Sequence, residues 1–232
     1  MIDVNNKYTI MQRAWYEEES YGMDKFSHNH KEHDSNPDYW TYLIPEGNNS
    51  DKIAFDFGCG HGRNIRNLLL KGGFKRVDGC DISTNNIGFA AANIRKECPG
   101  RTSWVYSNNG IDLQPARDNF YDYVMSTIVL QHIPVYDIRF SILSEMYRIL
   151  KPHGILSFQM GFDNGYHPGY TVDYHENFYD AEATNGLKDV CVTDPNQIVE
   201  DLTKIGFKSI VTTIRPQWKD GHHNWIFTNA VK

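Results

Sequence analysis

The sequence predicts an α/β fold, doubly wound around a mostly parallel seven-stranded sheet whose last strand is antiparallel. Three observations carry this expectation. From residue 52 onward, short apolar runs alternate with amphipathic stretches of helical period. A glycine-rich turn, Gly58-Cys59-Gly60-His61-Gly62, joins the first apolar run to the first amphipathic stretch. The final connection, residues 215–224, holds Pro216 and Gly221 and no helical pattern. A parallel return needs a crossover of about a dozen residues or more, usually a helix, so the seventh strand is expected to come back antiparallel beside the sixth.

Each element has its own signal. Ile53–Phe57 is a short apolar strand. Arg63–Lys71 places Ile65, Leu68 and Leu69 at helical spacing, and Gly72 and Gly73 stop it. Val77–Asp81 reads as a second strand. Ser83 or Thr84 is suited to cap a helix with Ile87, Ala90, Ala91 and Ile94 inward, ending at Pro99 and Gly100. Thr102–Tyr106 and Tyr121–Thr127 are the third and fourth strands. Asp137 is expected to cap the next helix, whose inward set is Ile138, Ile142, Leu143, Met146, Ile149 and Leu150. Pro152 and Gly154 are read as its stop, with Ile155–Met160 the fifth strand. Asp163–Val192 is a long, tyrosine-rich interruption. Asp194 then starts a helix with Pro195 at its first position, and Gly206 closes it. Lys208–Ile214 and Trp225–Val231 complete the strands.

The bulk numbers narrow the class. At 232 residues, 40% hydrophobic and 22% charged, the chain has the make-up of a globular protein built on one main domain. Residues 1–50, polar and aromatic with weak periodicity, read as an N-terminal flap or helical extension. Residues 51–232 form the main domain, with 163–192 as an insertion able to act as a lid. A net charge of −6 argues against a general nucleic-acid binder, which needs clustered Lys and Arg. No apolar run reaches the length of about 18 residues that spans a bilayer, and no leader is expected at the N-terminus. Cys59, Cys80, Cys98 and Cys191 form no CxxC pair and no zinc spacing, so they read as reduced thiols in a cytoplasmic protein with no bound metal. His28, His30 and His33 fall in the polar segment SHNHKEHDSNPD, which reads as a loop.

The glycine turn indicates the ligand. Three glycines between a strand and a helix let the backbone turn sharply and approach a bound molecule. A dinucleotide fingerprint would need glycine at 63, where the chain has Arg63, and an acid, Asp56, precedes the turn. A pyrophosphate favours bare backbone N–H groups without a nearby carboxylate, whereas an acid there suits a cationic or zwitterionic ligand. Asp81 ends the second strand 19 residues past Gly62, where a carboxylate is able to accept from both ribose hydroxyls.

With FDFGCGHGRN and VDGCDIS, together with SNNGIDLQPARDNFYDYVMS and STIVLQHIP after the third and fourth strands, the sequence resembles the class I S-adenosylmethionine-dependent methyltransferases. The likeness covers about residues 50–160, and the C-terminal part more loosely; YRILKPHGILSF adds a family-like helix and fifth strand. The resemblance implies S-adenosyl-L-methionine as cofactor. Asp56, Gly58, Cys59, Gly60 and Gly62 would lie against its methionine part, with Asp81 on the ribose and Ile82 on the adenine. Asn109, with Gly110 beside it, takes the place of the acid that holds the adenine amino group, and Asp112 competes for that place. Thr127 and Ile128 would pass beneath the methionine part.

The sulfonium already makes the methyl group electrophilic, so the protein has mainly to align the reacting atoms. An alcohol or phenol acceptor is helped by a base, for which His132, His167 and His175 are candidates, His132 first. Tyr16, Gln131, His132, Tyr166 and His167 are the candidate acceptor-binding residues, and Trp15 and Tyr16 beside Arg13 suit a flap. The expected activity is methyl transfer to oxygen or nitrogen of a small molecule. An NAD-linked oxidoreductase, a non-catalytic cofactor-binding protein, and an RNA or protein acceptor remain open alternatives.

Overall fold

The computed structural model describes residues 2–20, 41–44, 46–162, 171–179, 189–215 and 224–232. Its elements run α1 (Ile2–Ser20), β1 (Ile53–Phe57), α2 (Arg63–Leu70), β2 (Arg76–Asp81), α3 (Thr84–Glu97), β3 (Val105–Ser107) and β4 (Tyr121–Ser126). A 3₁₀ turn (Leu130–His132) follows, then α4 (Tyr136–Ile149), β5 (Leu150–Phe162), β6 (Thr171–Asp173), β7 (Asp189–Val192), α5 (Pro195–Ile205), β8 (Lys208–Arg215) and β9 (Asn224–Val231).

The sheet is mixed and mostly parallel. Its order starts β3-β2-β1-β4-β5, all parallel. β9 joins β5 antiparallel over Ile155–Phe162, and β8 pairs antiparallel with β9. The reversed last strand therefore lies where the short 215–224 connection places it. Two short strands raise the expected seven to nine: β7 continues alongside β5 at Gly161 and Phe162, and β6 pairs with β7. Both come from the 163–192 interruption, where three- and four-residue runs give too little periodicity to be read.

Apolar layers cover both faces. On one face Ile65, Leu68 and Leu69 of α2 and Ala90 and Ile94 of α3 pack on Ala54, Val77, Tyr123 and Met125. On the other, Ile138, Ile142, Leu143, Met146 and Ile149 of α4 and Ile198 and Leu202 of α5 pack on Phe55, Val124, Leu156, Phe158 and Met160. Side chains along β1 alternate between these layers, as strand geometry requires. Phe55 and Phe57 go one way, and Ala54 and Asp56 the other. Burying each large aliphatic contributes about 1.5–3 kcal/mol.

Helix ends follow their local signals in two cases and depart in a third. Ser83 caps α3, accepting from Asn86 N at 3.1 Å. Asp194 and Gln197 form a capping box on α5, and Gly206 ends it in the left-handed region at φ 118°. At α4 the cap residue is Val135, with no side-chain bond, and Asp137 lies inside the first turn. The backbone there is taken up from outside: Tyr136 N donates to Glu176 O at 3.1 Å and Asp137 N to Asn177 Oδ1 at 2.9 Å. Pro152 and Gly154 do not separate helix from strand, because β5 begins directly at Leu150 and pairs there with Tyr121. The third strand is shorter than expected, with Thr102 making only an isolated bridge to Arg76. No helix among the described residues is long and apolar enough to cross a membrane. The four cysteines are buried and free of disulfides.

Candidate functional site

A cavity of about 330 Å³ opens at the C-terminal ends of β1, β2 and β4, the edge where open α/β sheets bind ligands. The glycine turn forms its floor. Gly58 and Gly60 line it, at φ 72° and 50°, and their N–H groups are held by β2 and Asp81. Gly58 N donates to Cys80 O at 2.8 Å and Gly60 N to Asp81 Oδ2 at 2.9 Å. A Cβ on Gly58 would lie 2.2 Å from Val129 Cγ2, so only glycine lets the turn pass beneath that side chain.

Asp81 lines the cavity and is nearly buried. Its other oxygen, Oδ1, accepts from Ser83 N and Asn86 Nδ2, both at 3.0 Å. Burial raises its pKa, and the bonds from Ser83, Asn86 and Gly60 oppose the rise. Ile82 and Gly110 form a wall beside it. A Cβ on Gly110 would lie 2.8 Å from Ile82 Cδ1 and 3.1 Å from Thr9 Cγ2, so this glycine lets α1 close against that wall.

Asp56 lies behind the floor and has no exposed surface. Among the described residues no donor has hydrogen-bonding geometry toward either of its oxygens. Desolvation pushes its pKa up to about 7; the Arg63 charge and the Asn64 side-chain amide pull it down, and Asp81 adds to the rise. A buried carboxylate of this kind is costly without a positive or donating partner.

The roof is α1. Tyr8, Gln12, Trp15 and Tyr16 share one helical face, and the last three line the cavity. Polar bonds dock the helix: Gln12 Nε2 donates to His132 O at 2.6 Å, and Arg13 Nη2 donates to Asn108 O. Glu17 takes the N-terminus of α3, accepting from Thr84 Oγ1 at 2.7 Å, Ser83 Oγ at 3.0 Å and Asn85 N at 3.1 Å. Burial works to raise the Glu17 pKa, but the bonds from Thr84, Asn85 and Ser83 outweigh it and hold the carboxyl below its usual range. A carboxylate at a helix N-terminus is favoured by the orphan N–H groups there.

The remaining wall follows β4. Ile128, Val129, His132 and Ile133 line it. Ile128 adopts φ 56°, which is strained for a β-branched residue and marks a position held by its surroundings. His132 Nδ1 lies 2.6 Å from Asp189 Oδ1, a carboxylate brought in by β7.

Of the residues singled out in the sequence, the cavity thus gathers Tyr16, Gly58, Gly60, Asp81, Ile82, Gly110, Ile128 and His132. Cys59 and Gly62 belong to the turn without lining the cavity; Gly62 packs its Cα side against Ala90 and Ile94 of α3. Thr127 is buried and accepts from Asn64 Nδ2 at 2.7 Å. Gln131 is buried too, and no donor reaches its Oε1 among the described residues. Asn109 is a correction: it is exposed, and its amide closes a local turn with Ile111, Asp112 N and the Asp112 carboxylate. The cavity-lining residue is Asn108, one position earlier. His175 lies away from the cavity, 3.8 Å from the Asp201 carboxylate. Tyr166, His167 and the histidines at 28, 30 and 33 lie outside the described residues. Gln12, Asn86, Asn108 and Asp189 were not anticipated; each acts through a contact distant in sequence or through a polar side chain that leaves no periodic trace. Among the described residues no cluster of His, Cys, Asp or Glu has the arrangement of a metal site.

The donor set fits a nucleoside with a cationic end. Asp81 and Asn108 are placed for hydroxyl and base edges, Ile82 offers an apolar surface, and Trp15 and Tyr16 offer aromatic faces. Asp56 supplies a buried carboxyl below the turn, one that a cationic group would help to ionise.

Comparison with known proteins agrees with this geometry. Residues 55–158 match the family described as a methyltransferase domain. A probable methyltransferase, ltbC, of Aspergillus luteorubrus is 32% identical over 133 residues, covering 55% of this chain and 46% of that protein. Phosphoethanolamine N-methyltransferase 2 of Caenorhabditis elegans is 29% identical over 170 residues, 73% of this chain and 36% of the relative. The chain thus spans less than half the length of these two relatives. In fold it is similar to an S-adenosylmethionine-dependent methyltransferase of Methanosarcina mazei, with TM-score 0.61 and 22% identity over 84% of this chain and 97% of that one. It is also similar to Haemonchus contortus phosphoethanolamine N-methyltransferase 2 in complex with phosphomonomethylethanolamine and S-adenosylhomocysteine, with TM-score 0.60 and 22% identity over 82% and 50% of the two chains.

Proposed function

From the premise that residues 55–158 form a methyltransferase domain of the class I, S-adenosylmethionine-dependent family, we propose that this chain transfers a methyl group from S-adenosyl-L-methionine to oxygen or nitrogen of a small molecule. One observation carries the reading. Two buried carboxylates, Asp56 and Asp81, flank a glycine turn at the sheet edge; Asp81 is held by three well-formed hydrogen bonds, whereas among the described residues neither Asp56 oxygen has a donor within full hydrogen-bonding geometry.

In this reading Asp81 and Asn108 hold the nucleoside, Ile82 packs on its base, and Asp56 acts through the floor on its amino-acid end. The cofactor supplies an electrophilic methyl on sulfur. The protein excludes water beneath α1 and holds the acceptor in line. His132, at the end of the cavity wall, is the candidate base for an acceptor that gives up a proton. In the same reading residues 1–50 are the flap or helical extension, and the 163–192 insertion is the candidate substrate lid. Four cysteines without disulfides and a net charge of −6 support a reducing, cytoplasmic setting and a partner other than nucleic acid or membrane.

The two phosphoethanolamine N-methyltransferases among the similar proteins make amino alcohols and their phosphates the first acceptors to assay. The test is release of S-adenosylhomocysteine across a panel of small amines, hydroxyl compounds and phosphoethanolamine. Turnover with at least one acceptor is expected. Binding of the cofactor with no turnover on any acceptor favours a non-catalytic binding protein, and binding of NAD in its place favours an oxidoreductase.

A further inference from the structure

We propose that Asp189 is a positioning residue for His132: it fixes the imidazole as the Nδ1–H tautomer, leaving Nε2 bare toward the cavity, and so suits the site to acceptors that lose a proton as they are methylated. This deepens the methyl-transfer reading and rests on it for the identity of the reaction, though not for the state of the imidazole.

The geometry has three parts. His132 lines the cavity, and its Nδ1 lies 2.6 Å from Asp189 Oδ1. Among the described residues Nε2 has no protein partner, so it is the ring nitrogen left for a ligand. Both ends of the pair are fixed from separate elements. His132 closes the 3₁₀ turn through its N–H to Val129 O at 2.9 Å, and its carbonyl accepts from Gln12 at 2.6 Å. Asp189 is the first residue of β7, in register with Thr171 of β6, and Val190 beside it is buried.

The chemistry follows from the donor inventory. A neutral imidazole carries one proton on either nitrogen, and the partner of one nitrogen decides the state of the other. An ionised carboxylate only accepts, so a pair at this distance requires the proton on Nδ1. Nε2 is then a lone-pair acceptor on a side chain that belongs to the cavity lining. As the acceptor's oxygen or nitrogen forms its bond to the methyl carbon, the carbon–sulfur bond breaks and its electron pair stays on sulfur. The acceptor's proton passes to Nε2. The positive charge that began on sulfur ends on the imidazolium, beside the Asp189 carboxylate, and no further reactant is needed. An acceptor without a proton to lose, such as a tertiary amine or thioether, gains nothing from this arrangement.

The test is spectroscopic and uses the ligand-free chain. Protein labelled with ¹⁵N-histidine is recorded in two-bond ¹H–¹⁵N correlations under mildly alkaline conditions, and His132 is assigned by the signal missing in His132→Gln. The expected result is a protonated Nδ1 and a bare Nε2 in the wild type, and loss of that preference both in Asp189→Ala and in Asp189→Asn, whose amide NH2 can donate to Nδ1 where the carboxylate could only accept. Wild type in the Nε2–H form overturns the proposal whether or not any variant folds, as does an unchanged tautomer in folded Asp189→Ala. With a proton-losing acceptor in hand, kcat of Asp189→Ala should fall roughly tenfold to a hundredfold while cofactor KM holds. An equal loss on an acceptor without a proton to give would point to a structural role and overturn the proposal. If S-adenosylhomocysteine fails to bind the wild type, the methyl-transfer reading fails, but the tautomer result still decides the Asp189–His132 relation.

Discussion

At Gly58 an added methyl group has nowhere to go. The left-handed backbone at φ 72° disfavours any L side chain, and Val129 would be only 2.2 Å away. Gly58→Ala should therefore destabilise the protein by about 2–4 kcal/mol, from backbone strain and overpacking together. Adding Val129→Ala should recover the packing part and leave the strain, a split that urea unfolding of the two variants resolves. If the double variant is no more stable than the single, the steric account is wrong. At Asp56 the consequence is electrostatic. Its carboxyl ordinarily titrates at 3.8 and here at about 7, chiefly through burial. Below the lower value both folded and unfolded chains keep the proton, and the group costs nothing. Between the two values only the unfolded chain ionises, so stability drains as pH rises, and above the upper value the loss is complete. The thermal midpoint of the ligand-free wild type should therefore fall across this window relative to Asp56→Asn, which has no such proton. An ammonium group near Asp56 lowers this pKa, so S-adenosylhomocysteine, which brings its amino group but no sulfonium, should bind more tightly at about pH 8 than at about pH 6, with proton release seen as a buffer-dependent heat. Parallel pH profiles for wild type and Asp56→Asn would contradict both expectations.

At the scale of the element, α1 shows why part of the site is silent in the sequence. Its docking face is Gln12, Arg13 and Glu17, bonded to His132 O, Asn108 O and the N-terminus of α3, while Ile10 is 62% exposed. A helix that packs through polar groups and shows an apolar residue to solvent gives weak hydrophobic periodicity. Glu17→Ala should cost about 1 kcal/mol as a lost cap. It should also speed hydrogen exchange in residues 8–17, because the helix loses one of its three anchors. Unchanged exchange there would mean that the Gln12 and Arg13 bonds and the packing of Tyr8 hold α1 without Glu17. The β-rich core behaved differently. Ile53–Phe57, the α4 inward set and the Asp194–Pro195 start were legible because burial and capping leave periodic or positional marks. Asp137 was misread as a cap because the α4 start is supplied by Glu176 and Asn177, partners some 40 residues away that no local pattern reveals. The one-residue offset from Asn109 to Asn108 has a similar origin: two adjacent amides look alike in sequence, and the 109–112 turn decides which one points inward.

Across the whole molecule, the sheet brings distant residues to one edge. His132 meets Asp189 across 57 positions of sequence and Gln12 across 120. The glycine turn and Asp81 were readable because they are local to two strand ends. The Asp189 partner was not, because only the pairing of β7 beside β5 puts it there. The same edge unites the carboxylates behind and beside the turn, and the account depends on their acting on one ligand. The direct measurement is calorimetric titration of S-adenosylhomocysteine into wild type and Asp81→Ala. The wild type should bind with one site per chain, and removing a charge-assisted pair of hydrogen bonds should weaken that binding roughly tenfold to a hundredfold or more. Folded wild type that takes up no ligand, or an Asp81→Ala variant that binds as tightly as its parent, would contradict it.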